Sequence, residues 1–144
     1  MSTLSTANIT SKAANTPPVI KDVNGTECGQ FVRAWVTYDG VNNTVLASFN
    51  VSSVTDNTTG DYTINFTNAL SNVNFCVGGS TANTTNNFTS YNAGPTRGPV
   101  GIQMAGDVAP TTSSVTVETL YGATAAVNGA KVDHSRCNVI VYGD

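Results

Sequence analysis

Threonine and asparagine constrain this chain more than any other feature. Of its 144 residues, 22 are Thr and 17 are Asn, about 27% of the sequence. Thr is β-branched and suits a pleated strand, whereas Asn tolerates turns and positive φ, and neither does well inside a helix. Helical bundles are therefore excluded, and the scarcity of Leu, Glu and Lys excludes a coiled coil. With 40% hydrophobic residues, the chain still has the apolar content of a folded domain rather than of a disordered one.

Charge removes further classes. Six basic residues stand against nine acidic ones, giving a net charge of −3. They are scattered singly, so there is no electrostatic footprint for nucleic acid. No apolar run approaches the roughly 20 residues that span a bilayer, so no membrane insertion is expected. Met1 to Asn8 contains neither a basic residue nor an apolar stretch, and no secretory leader is expected there.

Turn-punctuated strand patterns begin at Phe31. Phe31 to Tyr38 is aromatic and β-branched and closes on Asp39-Gly40. In Thr44 to Asn50, the residues Val45, Ala47 and Phe49 share one face, as an inward face would require. Val51 to Val54 and Tyr62 to Phe66 flank a Thr, Asn and Gly-rich segment over 55–61, which predicts a β-hairpin with Tyr62, Ile64 and Phe66 inward. Phe75 to Gly78, Gly101 to Met104, Ser114 to Tyr121 and Cys137 to Tyr142 complete about eight short strands. The expected fold is all-β, an antiparallel β-sandwich or jelly-roll-like barrel over residues 31–144. Residues 1–30 show no sustained period and carry Pro17-Pro18, so they are expected as an extended N-terminal arm. Leu4, Ile9, Pro17, Pro18, Val19 and Ile20 are its candidate attachment residues.

Candidates for chemistry are few. Asp39, Asp56 and Asp61 fall in expected turns, where side-chain capping of backbone N–H groups accounts for them. Asp56 and Asp61 flank one loop as a glycosidase pair or a Ca²⁺ site would, yet their spacing matches no known loop pattern. His134 is the only histidine and lies among polar neighbours, as a surface side chain would; no nucleophile motif accompanies it. Gly78-Gly79-Ser80 and Gly122-Ala123-Thr124 read as turns, lacking the glycine spacing and lysine of a phosphate cradle. Cys76 and Cys137 sit in apolar runs, where a thiol behaves as a small hydrophobe and burial is expected. A disulfide between them stays open. No catalytic residue, metal site or cofactor is expected. Eight Asn-x-Ser/Thr triplets follow from the Asn and Thr content alone.

Trp35 and Tyr62 lie in strong strand patterns and are expected in the core. The polar stretch over 80–100 is long for a loop in a compact domain, and such loops are usually functional. Its Tyr91, with Asn92 and Arg97 nearby, is the candidate ligand or receptor contact.

The stretch from Val32-Arg33-Ala34-Trp35-Val36 through Ala47 to Asn57 and on through Gly60-Asp61-Tyr62-Thr63-Ile64-Asn65-Phe66 resembles a domain in structural proteins of tailed bacteriophages. The resemblance is especially to those of marine and cyanobacterial phages, which are usually described as tail-fibre or virion structural proteins. The resemblance implies a non-enzymatic virion component, a short tail fibre or fibre-like protein anchored by its N-terminal arm. It also implies a homotrimer that meets other phage virion proteins and, through outward loops, a host surface glycan. The alternatives are a capsid decoration or head-fibre protein, and a monomeric carbohydrate-binding module. The loop from Thr81 to Pro99 departs from the family pattern, so receptor specificity does not carry over.

Overall fold

A computed structural model of the chain describes residues 20–29, 31–82, 100–121 and 130–143. The described elements are all strands: β1 (Ile20–Lys21), β2 (Glu27–Gly29), β3 (Val32–Asp39), β4 (Thr44–Phe49), β5 (Val51–Thr58), β6 (Asp61–Phe66), β7 (Cys76–Ala82), β8 (Val100–Met104), β9 (Ser114–Tyr121), β10 (Ala130–Lys131) and β11 (Arg136–Tyr142). All pairings are antiparallel, as the expected class requires.

Two sheets make a sandwich. The first has the order β4-β3-β11-β7. In the second, β5 pairs β6, β6 pairs β9, and β9 pairs β8 on its far side. β10 continues the line of β6 along β9. The Thr119 N–H reaches the Gly60 carbonyl at 2.8 Å, while its own carbonyl accepts from Val132 N–H at 3.0 Å, so both segments flank the same side of β9. Of the two expected forms, this is the sandwich: each sheet keeps its own edges.

Alternation builds the core. Ala34, Val36 and Tyr38 on β3 and Cys137, Val139 and Val141 on β11 face Tyr62, Ile64 and Phe66 on β6 and Val115 and Val117 on β9. Leu70 and Phe75 close one end, where the Phe66 and Phe75 rings meet edge to face at 6.0 Å. At the other end the Tyr38 and Tyr62 rings do the same at 5.0 Å. The two lateral flanks differ. At β7 and β8 the sheets come together: a Cβ on Gly79 would collide with Ile102, so only glycine permits the approach. At β4 and β5 the flank is open.

Asn50 makes the turn between those two edges. Its φ of 54° is one that Asn tolerates better than most residues. Its amide donates to the carbonyls of Arg33 at 2.9 Å and Asn68 at 3.1 Å, and its Oδ1 accepts from Asn68 N–H at 2.8 Å.

Several expectations are corrected. The β5–β6 hairpin is present, but its turn is only Thr59-Gly60, so Asp56 lies within β5 and Asp61 opens β6. Gly78-Gly79-Ser80 lies inside β7 and is no turn. All six β4 residues are exposed, because a register skip at Leu46 breaks the run and no layer of the second sheet covers it. Ile20, read as part of an extended arm, pairs with Gly29 in a small separate hairpin. Leu4, Ile9, Pro17, Pro18 and Val19 lie outside the described residues. Val32 and Tyr142 stand opposite one another where β3 begins and β11 ends.

Candidate functional site

Two regions compete for a functional role: the outward face of each sheet. The second sheet's face is polar and self-contained. Register places Asp61 directly opposite Glu118, a like-charge pair that would repel. Lys131 resolves it, its Nζ lying 2.6 Å from Asp61 Oδ2 and 2.7 Å from Glu118 Oε1. Asn57 donates to Asp61 Oδ1 at 2.9 Å and Gln103 to Glu118 Oε2 at 3.0 Å. Burial works to raise the Asp61 carboxyl, but the Lys131 and Asn57 hydrogen bonds outweigh it and hold it below the usual range. Its hydrogen bonds to Asp61 first and then to Glu118 hold Lys131 above its ordinary value. Beside this cluster the Thr63 and Thr116 hydroxyls meet at 2.9 Å, and the Asn65 amide donates to Ser53 and Thr55.

Under that face lies a second set of polar groups. Asp133 Oδ1 accepts from Gly60 N–H at 2.6 Å and from the Tyr62 hydroxyl at 2.7 Å. Burial first, and then that carboxylate, push the Tyr62 hydroxyl far above its normal titration. His134, expected at the surface, is only 1% exposed. The loop between β10 and β11 tucks beneath the β3–β4 turn, and the His134 carbonyl accepts from Gly40 N–H at 2.9 Å. The Cys137 thiol points to the same carbonyl at 3.5 Å, and burial pushes it up to about 11, so it stays protonated at neutral pH. Asp61 and Glu118 share the one Lys131 cation, Asp133 is held by two neutral donors, and together they form a clamp that ties the β5–β6 turn to residues 131–137. Among the described residues no group of three or more His, Cys, Asp or Glu side chains is arranged to hold a metal ion.

The first sheet's outward face is different. Pairing places Phe49 opposite Trp35, Trp35 opposite Ile140, and Ile140 opposite Gly78, so one row crosses all four strands. Phe49 is 53% exposed, and Trp35 and Ile140 are half-buried. Trp35 is thus not the core residue that its strand pattern suggested: Ala34 and Val36 take the inward positions, and alternation turns the indole out. A Cβ on Gly78 would point into open space, so the row ends in bare, flat backbone. Beside it runs a polar row, Thr37 donating to Asn138 at 3.0 Å and Asn138 to Ser80 at 3.1 Å. Tyr142 and Cys76 pair at the margin, both exposed.

Comparison with protein-family models, curated proteins and solved structures finds no match to this chain.

Tyr91, Asn92 and Arg97 lie outside the described residues. The row of Phe49, Trp35 and Ile140 was missed, though its signal was present: an alternating strand that places Ala34 and Val36 on one side must place Trp35 on the other. Cys76, expected buried, is exposed by the same rule, since Val77 takes the inward position. Cys76 pairs with Tyr142 and Cys137 with Thr81, at opposite ends of the β7–β11 ladder, and both thiols are free.

Proposed function

We infer that this chain is a non-enzymatic structural component of a tailed-phage virion, a short tail-fibre or fibre-like protein that works as a homotrimer. In this reading residues 1–30 hold it to other virion proteins, and outward loops meet the host surface. The observation that carries the reading is the first sheet's half-exposed apolar row with its fully exposed β4 edge, on a sandwich whose second face is already satisfied by its own side chains. Such a face is what an assembling β protein brings to its neighbours. The stretch that resembles phage structural proteins, Val32 to Phe66, spans β3 to β6 and so includes that edge. Carboxylates tied up in ion pairs with Lys131 and in side-chain hydrogen bonds support a mechanical rather than a chemical use.

Sedimentation equilibrium and antibody labelling of intact particles test this together. The expected result is a species about three times the 14.9 kDa chain mass, and label on the tail. A stable monomer, or unlabelled particles, overturns it. A second reading, a carbohydrate-binding module, is favoured by the outward Trp35 and Phe49 pair beside the amide and hydroxyl row. A monomer that binds glycans, and loses them on Trp35→Ala, would replace the first reading by the second.

A further inference from the structure

We propose that β4 is the subunit contact, the edge against which a second copy of this chain docks. This rests on the homo-oligomer reading above and specifies where the copies meet. Three observations converge on the strand. Thr44–Phe49 is the end strand of its sheet, and every residue in it is exposed, which leaves one side of its backbone without a partner strand among the described residues. The strand contains no charge and no proline, the residues with which exposed edges are usually blocked. Its one irregularity, the skip at Leu46, leaves Ala47 to Phe49 in regular register with β3.

The other edges of the sandwich do not compete. β7 is closed against β8 through Gly79 and Ile102. β5 turns Val51 and Val54 to the core and has only Ser, Thr, Asp and Asn at its exposed positions, with its Asn57 side chain bonded across to Asp61 and Thr63. Among the described residues only β4 joins an unpaired edge to exposed apolar side chains: Val45, Leu46 and Phe49, together with Val41 in the preceding turn, are all exposed. Register puts Val45 on the face of Tyr38 and Phe49 on the face of Trp35, so these side chains flank the edge from both faces, with an exposed surface on the order of 300–400 Å² in all against the roughly 800 Å² that one partner contributes to a standard interface. An uncharged strip offers nothing to a charged partner, and a net charge of −3 puts little repulsion between copies. A second copy meets all these conditions.

Placing lysine on the strip tests it. Leu46→Lys and Phe49→Lys alter exposed edge positions, so each subunit keeps its core; Ser52→Lys on the β5 edge is the control. In sedimentation equilibrium the wild type and Ser52→Lys are expected as oligomers, and both β4 variants as species of 14.9 kDa with unchanged far-UV circular dichroism. Phe49→Thr keeps the strand propensity and removes the ring. If a lysine variant unfolds, Phe49→Thr decides by the same readout, a loss of oligomer of at least tenfold in dissociation constant being expected. An oligomeric wild type whose β4 variants stay oligomeric overturns the β4 contact and leaves the virion reading standing. A monomeric wild type overturns both, and glycan capture by that monomer would assign the strip to a saccharide instead.

Discussion

Lys131 stands between two carboxylates that sheet register sets opposite one another, so its removal leaves repulsion as well as a lost ion pair. Its side chain is 35% exposed and the carboxylates 12%, which places the cluster between a surface pair and a buried one. Lys131→Met is expected to lower the urea midpoint of unfolding, because it leaves the Asp61 and Glu118 carboxylates facing each other without a cation. The pH dependence has a definite sign. The folded Asp61 carboxyl titrates below its unfolded value of roughly 4, so its stabilisation is present above that value and is lost as pH falls through the depressed one. Asp61→Asn should therefore be less stable than wild type at pH 7, with the gap narrowing toward pH 3. A gap that widens in acid would contradict this ion pair. Deeper in, Ile64 is fully buried, and Ile64→Ala should cost about 2–5 kcal/mol by lost burial and the cavity left behind.

Elements show where sequence reasoning reaches and where it stops. The β5–β6 hairpin was legible because a turn-rich segment separates two alternating runs, and Tyr62, Ile64 and Phe66 do face inward. The same rule misplaced β4. Alternation says that Val45, Ala47 and Phe49 would share a face in a regular strand; it does not say whether a second layer lies beneath, and it does not register a bulge at Leu46. β9 was legible as a strand, but not the burial of its outward Thr116 and Glu118, which polar side chains from β6, β8 and β10 cover. His134 was illegible for a related reason: its loop is pinned by a backbone hydrogen bond from Gly40, nearly a hundred residues earlier. Asn50 joins the β4 and β5 edges, and its amide holds three backbone groups there. Asn50→Ala loses those bonds and strains a positive φ, for about 1–3 kcal/mol, whereas Asn50→Gly keeps the φ and recovers part of it. Hydrogen exchange at the Asn68 amide should quicken in both variants. Unchanged exchange there would place the strength of the turn elsewhere.

At the scale of the whole molecule the sandwich has one closed flank and one open flank. Thiol labelling reads its accessibility directly. Cys28 and Cys76 are exposed and Cys137 is buried, so a maleimide should modify two of the three native thiols and reach the third only on unfolding. Rapid modification of all three would place Cys137 outside the core. Connectivity has a mechanical consequence as well. Because Val32 and Tyr142 face each other at the same end of adjacent strands, a load applied between them pulls β3 and β11 apart like the two sides of a zipper. Rungs then give way in sequence instead of sharing the force, so the domain resists tension best when it is gripped at points other than these two.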